Sequence, residues 1–515
     1  WRGRSQKEGM RRMLHVYGYG DGGNGPAREH LEFLRRCRDL EGVPRVEMST
    51  PRAFFETIEA EECGSARRFV GELYLQMHRG AYTTQAKIKQ GNRRSEEALR
   101  EAELWASLAA ASGKGDYPAG RLDEAWTRLL LNQFHDVLPG SCIARVAEEA
   151  RADYEKICET CGEIHAAARA AFAEAGEGLS VFNSLSWDRR ALVELPDGVA
   201  GVRDAEGDLL CVQEVGGRRL VEAGVPSCGW TSLEAADEPR AACEDACGVR
   251  ATGRSLENEL VRVEFDDRGP ITGVLDKQTD TELTAGPCNE LLLYRDVNTC
   301  WDAWELQRPY EQCPVPLEAP AQIEVVAEGP LLARLRIRRA INESSLEQEV
   351  TLRRGSRRVE VRTRVDWREM HKILKVGFEV DYHAEAAIHE IQFGHLRRPN
   401  HDSWPIDAER FEVCNHRWTA LAEEGRGFAV LNDGKYGVSV DGRRIALTLL
   451  KAPTGPDPTA DRGLNEFTYA MTFWNGPFLD AEVVREGYEL NVAVQTTPGI
   501  AAERSRLRVD APNVI

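Results

Sequence analysis

The feature that most constrains the fold is a change in hydrophobic periodicity along the chain. From about residue 86 to 173 the sequence is rich in Ala, Glu, Leu and Arg, and its apolar residues recur at helical spacing. From about residue 178 onward apolar and polar residues alternate, as at Val261, Val263 and Phe265. Alternation over more than 300 residues predicts strands with one buried face, and hence a large antiparallel β-sandwich.

The helical stretch divides into three segments. Glycine, proline and lysine at 113–120 end the first, and Pro139-Gly140 ends the second. The second segment predicts one buried apolar face from Trp126 to Val137, and the third runs from Ile143 to about Phe172. Three helices with short connections predict an antiparallel three-helix bundle.

Residues 1–60 follow a different pattern. Leu14–Tyr17 and Val43–Met48 are predicted strands on either side of a helix-like segment, and Ser49-Thr50-Pro51 is a helix start. Strand, loop, helix and strand in this order are typical of a parallel α/β sheet. Farther along, the segment from about 225 to 250 is rich in Ala, Glu, Cys and Gly and is predicted to be a loop.

Charge and composition exclude two function classes. The net charge of −18 makes a nucleic-acid partner a poor fit, because phosphate binding needs a basic face. No apolar run approaches the roughly 18–20 residues of a membrane span.

The 13 cysteines follow no zinc-ribbon spacing, so free thiols in a reducing cytosol are the favoured interpretation. The chain begins at Trp1, so the lack of a visible signal peptide carries no information about targeting.

Two of the eleven histidines have neighbours that suggest chemistry. His135 precedes Asp136 near a helix end, where it serves either as a metal ligand or as a partner of the helix carbonyls. His78 begins a dense run of hydrogen-bonding groups that includes Arg79 and Tyr82. Such a run suits a polyhydroxylated ligand, and a polar surface turn is the alternative.

Asp21 is the remaining candidate. It lies in a glycine-rich stretch after a predicted strand, where barrel enzymes place catalytic carboxylates. The stretch contains neither a G-K-[ST] nor a G-x-G-x-x-G motif, so it does not predict a phosphate loop. An ordinary Gly/Asp turn is the alternative interpretation.

Seven segments, in order along nearly the whole chain, resemble glycoside hydrolase family 38 α-mannosidases of the cytosolic and bacterial branch. They are Tyr17–Pro26 (YGYGDGGNGP), His78–Glu96 (HRGAYTTQAKIKQGNRRSE), Leu130–Ser141 (LLNQFHDVLPGS), Phe182–Trp187 (FNSLSW), Glu390–Pro399 (EIQFGHLRRP), Ala429–Gly437 (AVLNDGKYG) and Pro456–Ala470 (PDPTADRGLNEFTYA).

The resemblance implies a seven-stranded α/β barrel, a three-helix domain and β-sandwich domains. It implies that terminal α-linked mannose is removed from a mannose-containing oligosaccharide with retention, through a glycosyl-enzyme on an Asp. A zinc ion, or cobalt in some members, would hold two sugar hydroxyls. We accordingly expect a multidomain α/β + α + β chain, divided at 1–85, 86–175 and 176–515 into the C-terminal remnant of the barrel, the helices and the β-sandwich.

Site residues follow from the same resemblance. His135 matches the family's last metal ligand, and Asp136 matches the acid that bonds sugar hydroxyls. His78, Arg79 and Tyr82 match the loop that borders the sugar. Asp21 matches a position where the family has one or two carboxylates, so it serves as the acid/base or as a substrate contact.

Other parts of the family pattern do not occur in this sequence. The family has a His-x-Asp pair that supplies metal ligands and a later nucleophilic Asp, and no His-x-Asp occurs here. The expectation is therefore an interior fragment, cytoplasmic and inactive alone, with apolar surface exposed near residues 14–16 and 43–48. It has no nucleic-acid or membrane partner, and a homo-oligomer is compatible with it. The alternative is a non-catalytic carbohydrate-binding or structural protein that retains the helical and β modules; spacing does not support a third idea, an unrelated zinc hydrolase.

Overall fold

The computed structural model describes residues 3, 9–20, 24–62, 64, 68–240, 248–501 and 504–505. The chain forms two compact units, residues 1–74 and residues 75–515. It mixes helices with mainly antiparallel sheets, which confirms the predicted combination at that level. The finer description, with a barrel remnant, a three-helix bundle and a sandwich divided at residues 85 and 175, stays a prediction.

The first unit contains helix α1 (Arg28–Arg36), a short 3-10 helix (Cys37–Asp39) and helix α2 (Pro51–Glu61). Helix α2 begins where the sequence predicts. The hydroxyl of Thr50 accepts a hydrogen bond from the Ala53 backbone N–H at 3.2 Å, and proline occupies the first helical position.

The two strands predicted in this unit do not form. Residues 14–17 and 43–48 lie outside any strand, and the described part of residues 1–74 contains no strand to pair with them. A β-strand is stabilised by hydrogen bonds to a neighbour, so an apolar run without a neighbour stays irregular. The predicted exposure of apolar surface here is confirmed: Val16 is 83% exposed, and Met48 is 64% exposed.

The second unit opens with a 3-10 helix (Arg79–Tyr82) and three long helices, α3 (Ala86–Ala111), α4 (Ala119–Asn132) and α5 (Ala144–Ala170). Their apolar faces share one core that includes Leu99, Leu129 and Ile157. Helices α3 and α5 approach closely at Gly91, where an added Cβ atom would lie 2.4 Å from the Tyr154 ring. The predicted bounds of α3 and α5 are confirmed to within about two residues.

Helix α4 is shorter than predicted. It ends at Asn132, and residues 133–139 form successive turns. Leu130 and Phe134 were expected on the buried face, but they are 60% and 53% exposed. Leu130 lies within α4 beside the buried Leu129, on the side of the helix away from the core. Phe134 follows the helix end, where the backbone changes direction, whereas Val137 and Leu138 still pack against the helical core.

The rest of the second unit consists of four sheets, and their strands pair antiparallel throughout the described ranges. In spatial order the nine-stranded sheet contains Gln322–Ala327, Leu332–Ile341, Ser344–Arg353, Val359–Trp367, Gly463–Asn475, Arg426–Asn432, Trp418–Ala422, Ala386–Ile391 and Gly394–Pro399. The eleven-stranded sheet contains Val413–Cys414, Gly437–Asp441, Arg444–Lys451, Lys372–Val380, Thr284–Arg295, Ile271–Asp276, Val261–Phe265, Ser255–Glu257 and Arg250–Thr252, with Thr281–Glu282 and Pro314–Val315 at its margins.

Two smaller sheets and four short helical segments complete the unit. The five-stranded sheet contains Gln495–Ile500, Glu174–Asn183, Gly229–Ala236 and Arg504–Ser505, with Gly201–Arg203 beside the third of these. The three-stranded sheet contains Arg189–Glu194, Arg218–Val225 and Val212–Val215. The helical segments are α6 (Pro405–Ala408), α7 (Val483–Asn491) and the 3-10 helices Arg308–Gln312 and Phe478–Asp480.

The predicted alternation is confirmed, but the loop predicted at about 225–250 is wrong in its first part, and residues 241–247 of it lie outside the described residues. In the strand Val261–Phe265 the residues are alternately buried and exposed. The strand Gly229–Ala236 lies inside the segment predicted as a loop. Its first five residues are all buried, so both faces of this part of the strand are covered and no alternation marks it in the sequence.

None of the helices in the described ranges combines the length and the apolar character that crossing a bilayer requires. The ten cysteines within those ranges are free thiols.

Candidate functional site

The polar run that begins at His78 forms a tight turn before helix α3. His78 and Gln85 both have positive φ, 62° and 58°, and the 3-10 helix Arg79–Tyr82 lies between them. The Thr84 backbone N–H donates to the Gly80 carbonyl at 2.9 Å and so closes the turn on itself. Two left-handed residues that are not glycine indicate a conformation held by its surroundings. We call residues 78–85 the polar turn.

Segments from the β region hold the polar turn. The Ala81 backbone N–H donates to the Trp304 carbonyl at 3.1 Å, and the Thr84 hydroxyl donates to the Ala303 carbonyl at 2.7 Å. The carboxylate of Glu305 accepts from the His78 backbone N–H at 2.9 Å. A stretch of chain more than 200 residues away therefore fixes the turn at three points.

A distant aspartate caps helix α3 at the end of the turn. The carboxylate of Asp461 accepts from the backbone N–H groups of Gln85, at 3.1 Å, and Ala86, at 2.7 Å. These are N–H groups that a helix start leaves without an internal partner, and a carboxylate is favoured there by the helix dipole. The Gln85 amide donates to the Asp457 carboxylate, which ties the same point to a second acid.

The candidate metal ligand lies on the loop that follows helix α4. The Phe134 carbonyl accepts from the N–H groups of Val137, at 2.9 Å, and Leu138, at 3.1 Å. His135 is at the tip with its side chain 78% exposed, its Nε2 atom 3.4 Å from Asp136 Oδ2. We call residues 133–141 the histidine loop. Its base is buried, and its tip presents an imidazole and a carboxylate to solvent.

The side chain of Lys89 connects the polar turn to the histidine loop. The buried Lys89 ammonium donates to the carbonyls of Thr84 in the turn and Leu138 in the loop, the latter at 2.9 Å. Burial lowers the pKa of Lys89 to about 7, because the charged form loses its hydration. Gly140 packs against the same Thr84 carbonyl so closely that an added Cβ atom would lie 2.2 Å from its oxygen. The structure thus brings the two predicted groups together through their backbones.

The predicted substrate residues differ in their exposure to solvent and in the contacts that their side chains make. His78 is half-exposed, with Nε2 3.9 Å from the Glu305 carboxylate. Arg79 is buried, donates to the carbonyl and carboxylate of Glu409, and lies over the Phe411 ring at 4.5 Å. Tyr82 is half-buried in the same turn, and Asp21 lies outside the described residues.

The described residues alone do not form a metal site. No group of three or more His, Cys, Asp or Glu side chains converges in the ranges that the structure describes. A zinc ion needs four ligands in a structural site, or three plus water in a catalytic one. The exposed imidazole of His135 fits the role of one ligand, and the remaining donors would have to come from other residues.

Several residues that build this site lie in segments that resemble the family, but their own residue types and spacing assign them no role. Lys89 looks like an ordinary residue of helix α3, and Asp457 and Asp461 look like turn residues of a β region. The exception is the stretch 301–305 (WDAWE), which contains two tryptophans and two acids within five residues. Such a density of aromatic and acidic residues in a connecting segment could have identified it as a candidate site.

Three sequence models of domain families match the chain in order. The N-terminal domain of glycosyl hydrolases family 38 matches residues 1–77, and the α-mannosidase middle domain matches residues 76–172. The C-terminal domain of glycosyl hydrolases family 38 matches residues 256–459.

Named relatives and solved structures agree with these matches. α-Mannosidase 2C1 of Homo sapiens is 39% identical over 97% of this chain and 48% of its own length. α-Mannosidase G of Dictyostelium discoideum is 30% identical over 92% of the chain and 48% of its own length. The chain thus spans about half the length of the curated relatives it matches. An α-mannosidase crystal structure from Enterococcus faecalis shares the fold with a TM-score of 0.74 at 16% identity, over 90% of this chain and 63% of that one.

Proposed function

The chain belongs to glycosyl hydrolase family 38, and from this premise we propose that it is part of a metal-dependent, retaining α-mannosidase. The substrate would be a mannose-containing oligosaccharide that loses terminal α-D-mannosyl residues. The observation that supports the proposal best is the junction of the polar turn and the histidine loop through Lys89 and Gly140. A hydrolase needs its binding groups held in fixed relative positions before substrate arrives.

Each candidate residue has a role in this proposal. His135 supplies one ligand to the zinc or cobalt ion, and Asp136 accepts hydrogen bonds from sugar hydroxyls. His78 and Tyr82 border the sugar. Arg79, whose guanidinium is committed to Glu409, holds the turn in which they lie. Asp21 would act as the acid/base or as a further substrate contact.

The bound ion would orient two sugar hydroxyls, and this chain's residues would supply the surroundings. The absence of a His-x-Asp pair from the sequence leads us to infer that the other ligands and the nucleophilic Asp belong to polypeptide outside these 515 residues. Inactivity of the chain alone, a cytoplasmic location and the choice of zinc are parts of the same proposal and rest on the family resemblance.

The test is hydrolysis of an aryl α-mannoside by the extended protein, meaning this chain together with the sequence that its gene encodes upstream of Trp1. We expect turnover that a chelator abolishes and that zinc or cobalt restores, with an aryl β-mannoside as the inert control. The 515-residue chain should show no turnover with either ion.

Two results would contradict the proposal. Turnover by the isolated chain would show that the ligands and the nucleophile lie within it. An upstream sequence that lacks both a His-x-Asp pair and a later Asp, in an extended protein without turnover, would favour the alternative, a non-catalytic carbohydrate-binding protein built on the helical and β modules.

A further inference from the structure

Trp301 is a large aromatic residue in an unusual position. Its side chain lies open to solvent, with 63% of the residue exposed, and its φ is 55°. Positive φ costs a bulky residue roughly 1–2 kcal/mol, so it persists only where the surrounding structure imposes it. An exposed indole held in a left-handed conformation is therefore a candidate functional group.

The stretch around Trp301 is firmly fixed. The Trp301 carbonyl accepts from the N–H groups of Trp304, at 2.9 Å, and Glu305, at 2.8 Å. The Asp302 carboxylate accepts from the N–H groups of Thr454, at 2.6 Å, and Gly455, at 3.2 Å. The Trp304 ring meets the Trp301 ring edge-on at 5.7 Å. The exposed indole therefore has a rigid backbone beneath it and an aromatic neighbour at its side.

This stretch is the one that holds the polar turn. The three residues after Asp302 contact the turn through the Ala303 carbonyl, the Trp304 carbonyl and the Glu305 carboxylate. The approach is close, because a Cβ atom added at Gly80 would lie 2.4 Å from the Glu305 carbonyl oxygen. Trp301 thus lies within four residues of every one of these contacts, beside the turn that carries His78 and Tyr82.

The chemistry of a pyranose explains what such an arrangement would bind. A sugar ring has C–H groups on its faces and hydroxyls around its rim. A flat aromatic ring packs against the C–H face through dispersion, while neighbouring polar groups bond the hydroxyls. The indole supplies the flat face here, and the half-exposed His78 has its Nε2 atom 3.9 Å from the carboxylate of Glu305, four residues after Trp301.

We propose that Trp301 is a stacking platform for the second sugar of the oligosaccharide, the ring that carries the mannose to be removed. This inference rests on the proposed function, which assigns the terminal mannose to His135 and Asp136. It adds a specificity residue from the β region to the candidate residues of the polar turn and the histidine loop.

The experiment compares two substrates that differ only beyond the terminal sugar. α-Mannosyl fluoride has no second ring, whereas α-linked mannobiose has one. In the extended protein we expect Trp301→Ala to lower kcat/KM for mannobiose by about 3- to 10-fold. We expect the same variant to leave kcat/KM for the fluoride within about 2-fold, and Trp301→Phe, which keeps an aromatic ring, to retain more activity on mannobiose than Trp301→Ala.

The matched control is Phe393→Ala. Phe393 is fully exposed and also has positive φ, 62°, but it lies at the tip of the hairpin between Ala386–Ile391 and Gly394–Pro399. It should change neither substrate's kcat/KM. Thermal unfolding of each variant shows whether the fold is retained, and Trp301→Phe keeps the test valid if Trp301→Ala unfolds.

Three outcomes would overturn the platform. Equal losses on both substrates would assign Trp301 a merely structural role, and an unchanged kcat/KM for mannobiose would remove it from the site. A loss of the same size in Phe393→Ala would mean that exposed aromatics affect the assay nonspecifically. A wild-type extended protein inert on both substrates would instead contradict the proposed function itself.

Discussion

Gly140 offers the sharpest test of how the histidine loop is held. Its φ is 81°, and a Cβ atom added there would lie 2.2 Å from the Thr84 carbonyl oxygen and 2.8 Å from the Gln85 Cβ atom. Real Cβ atoms essentially never come within 3.0 Å of a heavy atom outside their own and the adjacent residues. Gly140→Ala must therefore separate the histidine loop from the polar turn by at least 0.8 Å, the difference between 3.0 and 2.2 Å.

Two costs combine in this substitution. A left-handed alanine costs about 1–2 kcal/mol, and forcing a methyl group into a packed junction costs about 1–3 kcal/mol. The free energy of unfolding of the helical region should accordingly fall by about 2–5 kcal/mol. The atoms that the new methyl group would meet are the Thr84 carbonyl oxygen and the Gln85 Cβ atom, which cannot move aside as a flexible side-chain tip can. We therefore expect a loss in the upper part of the 2–5 kcal/mol range, about 4–5 kcal/mol.

The assay is urea unfolding of the purified chain followed by circular dichroism at 222 nm, with Gly113→Ala as the matched control. Gly113 also has positive φ, 66°, but no atom lies within 4 Å of its added Cβ, so it incurs the strain without the clash. We expect Gly113→Ala to cost about 1–2 kcal/mol. Equal losses in the two variants would refute the tight junction between loop and turn.

The remaining predictions concern the two buried groups that brace the site. Lys89 has its pKa lowered to about 7 by burial, so between pH 7 and its unfolded value near 10.5 the unfolded chain binds more protons than the folded one. The free energy of unfolding of the wild-type chain minus that of Lys89→Met should therefore rise with pH, by about 3 kcal/mol from pH 7 to 9.5, and a flat or falling difference in urea unfolding would contradict this. Asp461→Ala should lower the free energy of unfolding by about 1–3 kcal/mol through loss of the α3 cap. Asp461→Asn, which keeps an acceptor and tolerates the φ of 62°, should lose less, and equal losses would exclude the cap as the cause.

The sequence alone predicts those parts of the fold in which each residue's environment repeats locally. Helix α5 and the strand Val261–Phe265 are examples, because their apolar spacing is visible within the element itself. The runs 14–17 and 43–48 have strand-like composition, but a strand also needs a hydrogen-bonded neighbour, which no local pattern supplies. The strand Gly229–Ala236 was missed for a related reason, since its buried residues do not alternate.

Local sequence patterns reveal even less of the candidate site than of the fold. The run from His78 to Tyr82 stands out by its density of polar groups, and the family resemblance is what distinguishes His135 from other histidines. The groups that hold these residues lie hundreds of positions away: Asp461 caps a helix that begins at Ala86, 375 residues earlier. Contacts of that separation depend on the whole topology, so a single sequence read locally does not reveal them.

The central claim is that His135 belongs to a metal-dependent mannosidase site, and metal content measured together with activity tests it most directly. In the extended protein, His135→Ala should lose bound zinc or cobalt and aryl α-mannoside turnover in parallel. The control His383→Ala, at another exposed histidine near the carboxylate of Asp381, should keep both. A His135→Ala protein with full metal content and full turnover would contradict the account.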